Sequence, residues 1–235
     1  MLFRSQAMTG TLYGVGVGPG DPELMTVKAW RLISTADVIA YLCANGKDST
    51  ARDIAKPFIA EGTTEIAIDM PMRVEREPGE AAYDKGAKAI AAALDAGKDV
   101  VMLCEGDPFF YGSFMYIFER LASKYKTIVV PGVTSITAAA AAIGQPLVAR
   151  NDVLKVLPAT LPEDKLHFEL AMSQSVAIIK VGRHFGKVKL ILAELGLLSK
   201  ATAIENATHD NEKITLVENI EGETLPYFTT IIVRN

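Results

Sequence analysis

The sequence predicts an α/β chain of two domains: an N-terminal, mostly parallel sheet with helices on both faces, then a C-terminal mixed α/β sheet. Three observations carry this expectation. Strand-like and helix-like segments alternate through the N-terminal half, which implies right-handed crossovers and a covered parallel sheet. Residues 99–104 read as a strand that is continuously apolar after Asp99, as expected of a strand buried on both faces. After Pro131-Gly132 strands outnumber helices, so the domains are expected at 1–132 and 133–235.

The elements follow in order. Residues 12–17 read as a strand opening into the turn Gly18-Pro19-Gly20-Asp21-Pro22. A helix is expected next, with Met25, Ala29, Leu32, Ile33 and Ala36 on one face at the helical spacing. Asp21 is its expected N-cap and Pro22 its first residue. Residues 37–41 and 65–68 are short strands separated by a helical stretch at 51–59. An alanine-rich helix at 81–94, the buried strand at 99–104, a helix at 112–124 and a strand at 127–130 complete the first domain. The second opens with a helix of small residues at 135–143, closed by Gly144 and Pro146. Strands at 153–157, 176–181, 201–204, 214–217 and 228–233 then accompany helices at 163–172 and 188–195.

Composition narrows the function. The chain has 235 residues, 49% apolar and 22% charged, enough to bury a sizeable core and too apolar for disorder. Its 24 Lys and Arg against 28 Asp and Glu give a net charge of −4, which argues against a nucleic-acid partner. Cys43 and Cys104 lie far apart, and His167, His184 and His209 are isolated, so no protein-bound metal is expected. The two thiols fit a reducing cytoplasm. No apolar run reaches the roughly 18 residues of a membrane helix, and residues 1–8 lack a hydrophobic segment with a cleavage site, so neither a membrane span nor a signal peptide is expected.

Ligands of open parallel sheets bind beyond the carboxyl ends of the strands. Three glycine- or proline-rich turns are expected there, at 16–21, 105–111 and 131–135. They match no dinucleotide fingerprint, since GxGxxG from Gly14 or Gly16 would need glycine at Pro19 or Asp21. No GK[ST] follows, so the first turn is not a P-loop either. One such turn is ordinary punctuation between strand and helix, whereas three at one sheet edge point to a binding site.

The residues of these turns carry a family resemblance. GVGVGPGDPELMT (14–26), EGDPFFYGS (105–113), VPGVTSITAAAAAIGQPL (130–147), the strand ending Lys180-Val181-Gly182-Arg183 and the closing PYFTTIIV (226–233) resemble the tetrapyrrole methylases, the class III S-adenosylmethionine-dependent methyltransferases. Within that family the segment MPMRVEREPGEAAY (70–83) is similar to the precorrin-2 C-20 methyltransferases of cobalamin biosynthesis. So is the region 41–58, which has Leu42 where uroporphyrinogen-III methyltransferases carry an aspartate after the aromatic residue. The resemblance implies a cofactor, S-adenosylmethionine, folded in a cleft between the domains and held largely by backbone groups. The matching positions are Pro19, then Glu105, Gly106, Asp107 and Phe110, then Thr134 and Ser135, with Val181 and Ala207 from the second domain. The family often has methionine and glycine at the last two places. Exposed N–H groups where a helix starts at Thr134–Ser135 suit an anion.

The implied chemistry is an in-line displacement at a methyl already activated on a sulfonium, by an electron-rich meso carbon. Holding the two in line supplies on the order of 7–11 kcal/mol at best. A proton must then leave the meso carbon, and Glu105 and Tyr111 are the nearest candidates to handle it. Spacing singles out neither. The implied substrate is fringed with carboxylates, so an acidic chain must concentrate its positive charge locally. Residues 150–189 do so, with seven Lys and Arg against four acids, whereas 1–132 and 190–235 are both acidic overall. Arg73, Arg76, Lys180 and Arg183 are the candidate substrate ligands, since arginine's planar fork suits carboxylates. A methylase acting at another ring carbon and a non-catalytic S-adenosylmethionine-binding module are the competing expectations. The family also implies a homodimer.

Overall fold

The computed structural model describes residues 9–44, 49–71 and 76–234, the side chains of 76–78 excepted. The chain divides into two compact units between Thr134 and Ser135.

The first unit is built on five strands, β1 (Leu12–Gly16), β2 (Val38–Ala44), β3 (Thr64–Met70), β4 (Val100–Cys104) and β5 (Thr127–Val130), in the order β3-β2-β4-β1-β5. Every pairing is parallel. Side chains alternate between the two faces of a strand, and both faces are covered here. Leu12, Val38, Ala40, Val100, Met102 and Cys104 pack under α3 (Arg76–Asp95) and α4 (Phe114–Leu121), through Ile90, Leu94, Phe114 and Ile117. Their neighbours Val15, Val17, Ile39, Val101 and Leu103 pack under α1 (Val27–Ser34) and α2 (Thr50–Ala55), through Ala29, Ile33, Ile54 and Ala55. All five residues of β4 are buried, as its unbroken apolar run requires. Arg120 on α4 bridges Glu80 at 2.6 Å and Asp84 at 2.7 Å on α3 and lies over the Tyr83 ring, which fixes the two helices' register.

The second unit holds β6 (Leu154–Pro158), β7 (Ser175–Ile179), β8 (Ala201–Glu205), β9 (Lys213–Leu216) and β10 (Thr229–Arg234), in the order β6-β7-β10-β8-β9. Only β6 and β7 pair in parallel, so the sheet is mixed. One face packs on α6 (Glu163–Ala171) and α7 (Phe185–Glu194) around Leu166, Leu170, Phe185, Val188 and Leu192. The small-residue helix α5 (Ser135–Ala142) lies against β10. No helix among the described residues is long and apolar enough to cross a membrane.

Two local expectations are corrected. Asp21 does not cap the first helix: its carboxylate accepts from Glu23 N (2.8 Å) and caps a separate 3-10 turn, Pro22–Leu24. Met25 is extended, and Thr26 caps α1 by accepting from Ala29 N at 3.2 Å. An Asp-Pro pair followed by apolar periodicity matches both arrangements, and only the extended Met25 separates them. The strand expected to reach residue 181 stops at Ile179, because Lys180 adopts a left-handed φ of +56°.

Candidate functional site

Strands β4, β1 and β5 are adjacent, and their register brings the carboxyl ends level, with Gly16 opposite Cys104 and Val15 opposite Val130. The three turns singled out in the sequence therefore meet at one edge, where open parallel sheets bind their ligands. They are joined by backbone. Gly106 N donates to Gly18 O at 2.8 Å, and Val17 N to Cys104 O at 2.9 Å. A Cβ on Gly132 would lie 2.0 Å from Gly106 O and 2.9 Å from Gly16 Cα, so the third turn touches both others without room for a side chain.

Asp107 holds this arrangement together. One carboxylate oxygen accepts from Phe109 N (2.9 Å) and Phe110 N (3.0 Å), closing the second turn on itself. The other accepts from Gly132 N at 3.1 Å and ties the second turn to the third. Asp107 was expected beside the cofactor; both of its oxygens are engaged with the protein's own backbone. The link to Gly132 was not legible, because its partner is a backbone group 25 residues away.

Glu105 lies at the end of β4 with its carboxyl turned inward, where Oε1 accepts from Ala51 N (3.2 Å) in the first turn of α2. Burial pushes this carboxyl above its ordinary range, and the backbone N–H groups of Glu105 and Ala51 offset part of the shift. Burial and the neighbouring Glu105 likewise push the Cys104 thiol up, so Cys104 is an inert core residue. Pro19, Gly106, Phe110 and Thr134 are half-buried in these turns, and Tyr111, the last residue of the second turn, is exposed. Ser135 is exposed as the first residue of α5.

The other expected residues are placed by the second unit. The strands β6, β7 and β8 run in one direction and β10 in the other, so the segments after β7 and β8 flank the start of β10. Asn206 N donates to Phe228 O at 2.8 Å and Leu225 N to Gly182 O at 3.1 Å, which knits that edge. Val181 and Ala207 both lie there and both are buried. The Val181 side chain is part of the unit's own core, and its carbonyl accepts from His184 N at 2.6 Å. Lys180 and Arg183 are exposed on the same edge. Asn206 and Thr208, beside Ala207, join Lys180 in left-handed conformations, a concentration of strain that the sequence did not announce.

Structure also discounts the basic stretch at 150–189. Lys155 pairs with Glu169 at 2.7 Å, Lys187 donates to Leu161 O at 2.5 Å, and Lys189 donates to Ile220 O. Three of its seven cations thus serve the unit's own fold. Arg73 lies outside the described residues; Arg76 begins α3, and its side chain lies outside them too.

Comparison with known proteins adds to this geometry. Residues 11–221 match the family model of the Tetrapyrrole (Corrin/Porphyrin) Methylases. The chain is 38% identical to the precorrin-2 C(20)-methyltransferase of a Sinorhizobium species, over 95% of each chain. It is 42% identical to the cobalamin biosynthesis protein CobIJ of Mycobacterium tuberculosis, over 94% of this chain and 45% of that protein, so it spans about half that relative's length. In fold it is similar to the uroporphyrin-III C-methyltransferase of Thermus thermophilus in complex with S-adenosylhomocysteine. That match has a TM-score of 0.70 and 23% identity, over 96% of this chain and 92% of the other.

Proposed function

The chain belongs to the tetrapyrrole (corrin/porphyrin) methylase family, and from that premise we propose that it transfers a methyl group from S-adenosylmethionine to carbon 20 of precorrin-2, or of its cobalt complex, in building the corrin ring of cobalamin. The observation that carries this reading is the end-to-end similarity, over 95% of both chains, to a relative named for that reaction. The three-turn edge of the first sheet supports it.

The residues present fit the cosubstrate. It brings a carboxylate, an ammonium and an adenine edge, and the turns present the Pro19 carbonyl and the backbone of Thr134, with the exposed Ser135 at a helix start, while Gly106, bonded through its backbone to Gly18, shapes the edge. When bound, S-adenosylmethionine supplies an activated methyl for in-line displacement by the meso carbon. Turns tied together in this way would hold the reacting groups in line, which can contribute on the order of 7–11 kcal/mol at best.

Of the two candidates for the meso proton, Glu105 has the environment of a base. Once the meso carbon has gained its methyl, the Glu105 carboxylate would accept the proton that this carbon must lose. A carboxyl raised by burial is a better proton acceptor than a solvated one. The same burial makes it a liability for stability. With a folded-state pKa above the unfolded value, the Glu105 contribution is fully present below about pH 4.3 and is lost as pH rises through the raised value. Glu105→Gln keeps an acceptor for Ala51 N and removes the buried charge. The variant is expected to melt higher than wild type at pH 7, with a flatter pH dependence, and to lose about 100-fold in kcat. Unchanged turnover would exclude Glu105 as the base.

The assay that tests the whole reading is methyl transfer to precorrin-2, with NMR placement of the new methyl. Methylation at another ring position would move the chain elsewhere in its family, and tight cofactor binding without turnover would make it a binding module. We also infer a homodimer, for which the outermost strand β9, with exposed Ile214 and Leu216, offers an edge. A sedimentation mass that stays monomeric at all concentrations would refute it.

A further inference from the structure

Tyr111 occupies a backbone conformation that its side chain disfavours. Its φ is +57°, a left-handed value uncommon for any residue but glycine and strained for a bulky one. The turn leaves it no alternative. A Cβ on the next residue, Gly112, would lie 2.5 Å from Asp107 O and 2.6 Å from Pro108 O, so the chain reverses here with no slack. Upstream, Asp107 fixes Phe109 and Phe110 through their N–H groups. The neighbouring rings are anchored in turn. Phe109 packs edge-on against Phe118 at 5.1 Å and lies 6.0 Å from Phe114, a fully buried residue.

The product of this rigidity is a displayed ring. Tyr111 is 45% exposed, with Phe110 edge-on to it at 5.4 Å, at the end of the turn that follows β4. Strain of this kind persists where the surrounding structure over-determines it, and it gathers at ligand clamps. An aromatic ring nearly half exposed suits a flat apolar ligand, for which stacking is the favoured contact. A tetrapyrrole is such a body, with its charges confined to the rim.

We propose that Tyr111 is a positioning residue for the substrate, its ring being the surface on which the macrocycle's apolar body rests while cations elsewhere hold the carboxylates. This rests on the methyltransferase reading above. It assigns the work to the ring and none to the phenol oxygen, which takes Tyr111 out of the proton transfer.

The test titrates precorrin-2 anaerobically, followed by its absorbance, into wild type, Tyr111→Gly and Tyr111→Phe, with S-adenosylhomocysteine affinity and melting temperature measured on the same proteins. Glycine accepts the left-handed backbone, so Tyr111→Gly is expected to melt no lower than wild type. It should lose about tenfold in tetrapyrrole affinity, the scale of one aromatic stacking contact, and much less in S-adenosylhomocysteine affinity. Tyr111→Phe should restore the tetrapyrrole affinity. Undiminished affinity in Tyr111→Gly would overturn the proposal. So would a Tyr111→Phe variant as weak as Tyr111→Gly, which would transfer the role to the hydroxyl. A parallel fall in both affinities and in melting temperature would overturn it too, as a purely structural effect. Wild type that binds precorrin-2 but methylates another carbon would remove the C-20 assignment and leave this proposal standing.

Discussion

Gly132→Ala is expected to be among the most damaging single-methyl additions the first unit can suffer. The new Cβ would sit 2.0 Å from Gly106 O and 2.9 Å from Gly16 Cα. These obstacles are backbone atoms, not the far ends of flexible side chains. Gly16 belongs to β1, which pairs with both β4 and β5, and Gly106 is bonded to Gly18 across the first and second turns. Relief therefore requires the three turns to part. Overpacking a close contact costs about 1–3 kcal/mol and more where nothing can yield; about 3 kcal/mol corresponds to a fall in melting temperature on the order of 10 °C. Binding of S-adenosylhomocysteine should be lost with it, since all three turns of the proposed cofactor edge move. Gly79→Ala is the matched comparison. Gly79 is helical, and among the described residues its Cβ would meet only Met70 Cε at 3.8 Å, so that variant is expected to gain about 0.5–1 kcal/mol. Thermal melts of both variants decide the matter: equal effects would show that the glycine contact is not the constraint.

What the sequence revealed of this fold follows the range over which each signal acts. The run 100–104 announced a strand buried on both faces because burial on both faces demands apolar side chains at every position, a local signal. The alanine-rich segment now forming α5 and the periodic segment forming α1 were legible for the same reason. Three turns at strand ends were legible too, though not the order β4-β1-β5 that makes them neighbours, since parallel pairing joins segments far apart in the chain. Helix starts were legible only to within a few residues: Asp21-Pro22 and Thr26 are both good caps, and each turned out to cap its own element.

Charge was the least legible property. Counting cations over 150–189 found a real excess, but a count cannot tell a solvated lysine from one tied to its own fold. Lys155 meets Glu169 and Lys187 meets the Leu161 carbonyl only after β6, α6 and α7 have packed. Glu105 is the reverse case. Nothing in the motif EGDPFFYGS distinguishes a surface carboxylate from one driven inward to meet Ala51 N, yet that placement gives the group its raised pKa, on which its proposed role as a base depends.

Asp107 supplies the second large effect, and it separates two roles that the sequence could not. A carboxylate that contacts the cofactor directly would, when changed, weaken binding and leave the fold alone. A carboxylate that organises the turns would weaken both. The three backbone bonds to Phe109, Phe110 and Gly132, at 2.9, 3.0 and 3.1 Å, favour the second role. Asp107→Ala abandons all three N–H groups. Water can reach the donors nearest the surface, so the expected loss is about 2–3 kcal/mol, below the full cost of three buried unsatisfied donors. Asp107→Asn is the sharper instrument. Asparagine closes the same tight turn through its carbonyl oxygen, but its NH2 then faces Gly132 N, donor against donor, and the bond between the second and third turns is lost. The expected result is a stability loss of about 1 kcal/mol, with S-adenosylhomocysteine affinity reduced about tenfold because the third turn is no longer held in place. Calorimetric titration and thermal melts on the same protein read both quantities. Tenfold weaker binding at wild-type stability would make Asp107 a direct ligand of the cofactor. A loss of stability with unchanged binding would mean that the edge tolerates movement between its turns, and that Gly132 and Gly16, by contact alone, are enough to shape it.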